Sequence, residues 1–176
     1  MGGYNLYNYV DNNSLIGVDP EGLEVDINYF SIKEPQYWSA LNYKEKSDWF
    51  SVAGHGNATG GIYENGELRK FFKEKNKMFS VPVEELAARI KKHPRYKKGM
   101  NIELLGCFTG INVNPSQQYA QKLANILEVS VRGPDNTLWF HPDGRIQING
   151  LISDPITNKE IIDEKRPGKF NVFNPK

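Results

Sequence analysis

Between residues 49 and 134 the chain alternates short apolar runs with longer amphipathic ones, and this alternation limits its possible folds more than any other feature. "WFSVAG" (49–54), "MNIELLG" (100–106) and "EVSVRG" (128–133) are brief, aliphatic or β-branched, and closed by glycine, which reads as buried strands. Between the second and third lies "PSQQYAQKLANIL" (115–127), and before the second lies "SVPVEELAARIKKH" (80–93). In the latter, Val83, Leu86, Ala87 and Ile90 recur at helical spacing, Ser80 is expected to cap, Pro82 falls where a first turn tolerates it, and basic residues at the end complement the helix dipole. Strand, helix, strand, helix, strand is the order of parallel strands joined by right-handed crossovers. The expectation is an α/β sandwich with a mainly parallel central sheet.

The flanks are read the same way. "EVDINYFSI" (24–32) predicts a strand, and "YWSALNYKEKSD" (37–48) a helical or irregular piece. "GGIYENGELRKFF" (60–72) predicts a hairpin around Glu64-Asn65-Gly66, and "NTLWFHPDGRIQING" (136–150) one around Pro142-Asp143-Gly144. From Ile152 to Lys176 the chain is polar and carries Pro155, Pro167 and Pro175, which predicts an irregular tail.

Several function classes lose their usual anchors. With 176 residues and 39% hydrophobic content the chain can bury one real core. Its net charge of +1 is spread along the sequence apart from "KKHPRYKK" (91–98), which reads as a solvated basic face, so nucleic acid is not an expected partner. The single cysteine forbids an internal disulfide. "MGGYNLYNYV" lacks the basic start and apolar block of a secretory signal, and no apolar run approaches the roughly 18 residues that span a bilayer. There is no Gly-rich phosphate loop and no Cys-x-x-Cys, and the three histidines are dispersed; neither metal nor other cofactor is expected.

What remains is cysteine chemistry. His55 and Cys107 each fall just past the carboxyl end of an expected strand, where functional residues of parallel sheets collect. If those strands are neighbours, the two side chains share an edge. A thiolate has to be generated by a nearby imidazole or a helix N-terminus, and Gly56 and Gly106 would let backbone amides approach a substrate carbonyl. The plainer alternatives are that Cys107 is a small core hydrophobe and His55 a hydrogen-bonded turn residue. His141 reads first as a hairpin residue and second as a site member, and His93 as a helix C-terminal cap.

The first 23 residues, "MGGYNLYNYVDNNSLIGVDPEGL", have a different character, rich in Asn, Gly and Tyr and closed by a turn. Asn5, Leu6, Tyr7, Tyr9, Asn12, Asn13, Asp19, Pro20, Gly22 and Leu23 form a pattern that resembles the end of the Rhs/YD-repeat core of bacterial polymorphic toxins. That resemblance implies an autoprocessing motif at Asp19, Pro20, Gly22 and Leu23. It also implies a boundary at Leu23/Glu24, with residues 24–176 as the C-terminal effector. The acidic partner of the cleavage motif is absent from the chain, so self-cleavage by this fragment alone is not expected. The same resemblance implies delivery into a target cell within a larger Rhs protein, and a parent shell and cognate immunity protein as partners.

"WFSVAGHG" and "IELLGCFTG" are similar to the two halves of the signature of caspase-like (clan CD) cysteine peptidases, and the Cys-x-Thr-Gly continuation resembles the CHAT-like branch. Their histidine precedes the cysteine by about 50 residues, as here. The resemblance spans roughly residues 46 to 135 and implies a caspase-like three-layer sandwich. It further implies Cys107 as nucleophile, His55 as base or leaving-group acid, the amides of Gly56 and Cys107 as oxyanion donors, and a protein substrate. The Gln-Ala that precedes the caspase cysteine is replaced by Leu105-Gly106, so Asp specificity is not implied. The alternative is an effector of another chemistry, a nuclease or NAD-consuming enzyme, in which Cys107 is core and His55, Arg132, His141 or Arg145 work elsewhere.

Overall fold

The structure is a computed structural model that describes residues 25–44, 48–57, 60–65, 77–112 and 118–176. In chain order the elements are β1 (Ile27–Asn28), α1 (Pro35–Leu41), β2 (Trp49–Ala53), β3 (His55–Gly56), β4 (Ile62–Asn65), β5 (Met78–Ser80), α2 (Val83–Lys92), β6 (Asn101–Leu105), α3 (Tyr119–Leu127), β7 (Val131–Pro134), β8 (Thr137–Phe140), β9 (Ile146–Ser153), β10 (Glu160–Pro167) and β11 (Phe170–Phe173). The fold is mixed α/β and rich in strands. Its central sheet has the order β1-β2-β6-β7-β11, with β1, β2, β6 and β7 parallel and β11 antiparallel to β7.

Register explains the core. Phe50 lies opposite Ile102, Val52 opposite Leu104, and Ile102 opposite Val131. Because strand side chains alternate, these residues share one face, where they join Leu86, Ala87 and Ile90 of α2 and Leu123, Ala124 and Leu127 of α3 in one apolar cluster. Each wholly buried aliphatic or Phe side chain there contributes about 1.5–3 kcal/mol. The opposite face, carrying Ala53 and Leu105, packs against Phe30, Ala40, Tyr43 and Leu138, and so beneath α1 and β8.

That second face also holds Glu103, fully buried in β6. Arg132, its parallel neighbour on β7, donates Nε–H to Glu103 Oε1 at 2.7 Å, and the Tyr43 hydroxyl donates to Oε2 at 2.8 Å. The guanidinium lies 4.2 Å from the Trp49 ring centroid and 5.1 Å from that of Phe170. Every charge is thus met by hydrogen bonds and aromatic faces, the condition under which a buried ion pair is tolerated.

Four local expectations are corrected. Ser80 does not cap α2: it ends β5, paired with Tyr63, and Pro82 occupies the N-cap position, while Glu84 and Glu85 meet the dipole. Glu64 and Asn65 are not a turn but strand residues of β4, which pairs antiparallel with β5 as Tyr63↔Ser80 and Asn65↔Met78. Glu64 stays there because Arg89 of α2 neutralises it at 2.6 Å. The region after Ile152 is not irregular, since β10 pairs with β9 and β11 closes the central sheet and buries Phe173. Finally, His55 is not a turn residue: after Gly54 the chain changes sheets, and His55–Gly56 pair antiparallel with β4. Among the described residues 25–32, only the two of β1 join the sheet.

Candidate functional site at the carboxyl edge of β2 and β6

The two strands that carry the candidate residues are parallel neighbours. Ala53 lies opposite Leu105, and the Gly54 N–H donates to the Leu105 carbonyl at 3.3 Å. His55 and Cys107 are each two residues beyond that pair, so both chains leave the sheet at one edge. The backbones touch there: a Cβ on Gly56 would overlap the carbonyl of Cys107, and one on Gly106 would stand 2.9 Å from the Gly54 carbonyl oxygen. Only glycine permits this approach without displacing a strand end.

Cys107 is half-buried, against the cluster that contains Phe30, Leu138 and Phe140. Its Sγ accepts the Leu138 N–H at 3.4 Å and lies 3.8 Å from the Leu138 carbonyl, to which the thiol donates. Burial pushes the thiol up, opposed by the hydrogen bonds from Leu138 and from its own peptide. The next residue, Phe108, has φ 60°, a left-handed conformation that is uncommon for an aromatic side chain and costs about 1–3 kcal/mol. Its N–H is held by the Asn136 carbonyl at 3.0 Å, and the Thr109 N–H by the Gly106 carbonyl at 3.2 Å. Among the described residues the Cys107 N–H has no backbone partner.

The imidazole of His55 is gripped by Glu34, the residue just before α1. Its Nε2 is 3.1 Å from Oε1 of Glu34, whose other oxygen accepts the Ser31 N–H at 2.8 Å. A carboxylate only accepts, so Nε2–H is the donor in this pair. The Phe30 ring meets the imidazole edge-on at 4.9 Å and Phe140 at 5.7 Å, which ties the wall beside Cys107 to the His55 ring. Among the described residues no hydrogen bond joins His55 to the Cys107 sulfur. Sequence reading missed Glu34. The available signal was the Ser-x-x-Glu spacing of residues 31 and 34, the capping-box pattern in which the glutamate reaches back to the serine N–H.

The other candidates are elsewhere. His93 is the C-cap of α2, with its N–H on the Ile90 carbonyl and its ring edge-on to Phe50; burial pushes its imidazole down. Arg132 is committed to Glu103. His141 and Arg145 share an open cleft of about 380 Å³ with Tyr43, Lys44, Asp143 and Gln147. Asp19, Pro20, Gly22 and Leu23, with the rest of the expected Rhs end, lie outside the described residues. Among the described residues no helix is long and apolar enough to cross a membrane, and no group of three or more His, Cys, Asp or Glu is placed to hold a metal ion.

No curated protein matches the chain. Residues 25–148 match a family model described as "Domain of unknown function (DUF8616)". The match runs from the first buried residue of the described chain to the start of β9, so it takes in Glu34, His55, Cys107 and the cleft, and leaves out β10 and β11. With well over half of its length in that match, the chain belongs to the DUF8616 family.

Proposed function

We propose that the chain is a cysteine endopeptidase of caspase-like type, acting as the effector of an Rhs-type toxin, with Cys107 as nucleophile and His55 as its base. The observation that carries this reading is the parallel pairing of β2 with β6, which brings the His-Gly and Gly-Cys ends to one edge with their backbones in contact. The carboxylate of Glu34 on His55 adds the third member of a nucleophile, base and orienter series. Delivery within a larger Rhs protein, the parent shell, a cognate immunity protein and a protein substrate in the target cell belong to the same proposal.

In this mechanism the thiol is not a standing thiolate, because burial favours its protonated form. Cys107 turns about χ1 from Leu138 toward His55, and Nδ1 takes the proton as sulfur attacks the scissile carbonyl. The N–H groups of Cys107 and Gly56 receive the oxyanion. The imidazolium, held by Glu34, returns the proton to the leaving amine, and water releases the acyl group from sulfur with His55 again as base.

The seat of the thiol among Phe30, Leu138 and Phe140 favours a second reading, in which Cys107 is packing and the effector has another chemistry, nuclease or NAD-consuming. Two measurements separate them. Iodoacetamide is applied at pH 6.5 to wild type and His55→Ala, and the mass at Cys107 is followed. Cleavage of target-cell protein extract is compared between wild type and Cys107→Ala. Labelling that slows in His55→Ala, together with cleavage that vanishes in Cys107→Ala, supports the peptidase. Labelling that appears only on unfolding, with no cysteine-dependent cleavage, overturns it.

A further inference from the structure

We propose that the cleft between the end of α1 and the β8–β9 turn binds the phosphate group of a small phosphorylated metabolite. The cleft lies outside the Cys107 edge, and binding there is independent of the proposed peptidase function. Its walls are tied together. Gly144, with φ +81°, packs on the Asn42 carbonyl where a Cβ would overlap it, and Asn42 Nδ2 donates to the Pro142 carbonyl at 3.0 Å. The lining from α1 and the lining from the turn therefore form one site.

Its charge is uneven. Asp143 is the single carboxylate of the lining, and it is already engaged: Oδ2 accepts Arg145 Nε–H at 2.6 Å, and Oδ1 accepts the Arg145 backbone N–H at 3.1 Å. That grip fixes the guanidinium by its inner nitrogen and, among the described residues, leaves both terminal nitrogens uncommitted. Lys44, from the segment after α1, lines the same cleft and makes no ion pair among the described residues. His141 Nε2 is anchored on Gln147 Oε1 at 3.2 Å, which keeps the imidazole on the wall. The Tyr43 hydroxyl is taken by Glu103 and supplies surface only.

A guanidinium fork fixed at its base, in one cleft with a lysine ammonium, suits an oxyanion with several acceptor oxygens, which is the chemistry of phosphate. At about 380 Å³ the space far exceeds one ion, and Ile146 adds an apolar surface, so the phosphate is a group on an organic molecule.

The test uses the full chain titrated with inorganic pyrophosphate, read by chemical shifts and calorimetry, in wild type, Arg145→Ala, Lys44→Ala, Cys107→Ala and Lys159→Ala. Lys159 is exposed beyond the far end of β9 and serves as the charge control. The expected result is saturable binding in wild type, weakened about tenfold in each of Arg145→Ala and Lys44→Ala. Lys159→Ala and Cys107→Ala should bind as wild type does. Equal affinity in all five proteins, or no saturable binding in wild type, overturns the proposal. Both cleft residues are solvent-exposed, and an unchanged amide spectrum away from the cleft separates lost binding from lost fold.

Discussion

The two faces of the central sheet are built on different terms. The face beneath α2 and α3 is closed by wholly buried Phe50, Val52, Ile102 and Leu104, which meet the helices through apolar packing. The face beneath α1 and β8 mixes Ala53 and Leu105 with a buried carboxylate, and at its carboxyl edge it hands the chain to His55 and Cys107. Small residues and paired charges pack less efficiently than aliphatic ones, yet they leave room for groups that react. The first face is thus an apolar packing surface, and the rim of the second is where the proposed function puts its chemistry.

The largest effect should come from the rim. Cys107→Ala is expected to lower peptide-bond cleavage by about 10³-fold or more while moving the urea midpoint little, because only one half-buried sulfur is lost. Unchanged cleavage would remove chemistry from this face. Next in size, Arg132→Ala takes the guanidinium away from the buried Glu103 carboxyl group and should cost about 3–5 kcal/mol in denaturant unfolding. Leu104→Ala, on the helix-covered face, should cost about 2–5 kcal/mol with cleavage per folded molecule intact.

Glu34→Gln keeps the shape but removes the charge that steadies the imidazolium. A fall of about tenfold in kcat with KM unchanged is expected, partly restored by Glu34→Asp. The smallest effect is on pH. Burial lifts the Cys107 thiol in the folded state, so its contribution to stability is complete below the unfolded thiol value of about 8.5 and is lost as pH rises through the folded one. Unfolding free energy should therefore decline above about pH 8.5, and Cys107→Ala should flatten that slope.

The alternation between residues 49 and 134 was legible because burial on one or both faces imposes a period on the sequence, and β2, α2, β6, α3 and β7 all fall where that period puts them. Glycine after β2 and after β6 was legible for the same local reason. The Glu34 contact was hidden, since 21 residues separate it from His55 and its spacing signals a helix start rather than a contact with an imidazole. Ser80 was misread because a serine before a helix resembles a cap, while its pairing with Tyr63 depends on a strand that local pattern does not expose. The tail was misread because β10 is solvent-facing along most of its length, and only a few positions such as Phe173 report burial.

Local periodicity and chain order thus determined where the helices and strands fall and that His55 and Cys107 each lie just past a strand, because these are set by interactions within a few residues, whereas the pairing that brings the ends of β2 and β6 to one edge joins residues 52 apart. Tertiary structure alone decided that Glu34 grips His55, that the thiol turns to Leu138, that Arg132 answers Glu103, and that β11 closes the sheet. Those contacts join segments 21 to about 40 residues apart, and their partners are selected by packing and charge in three dimensions, which no local pattern encodes.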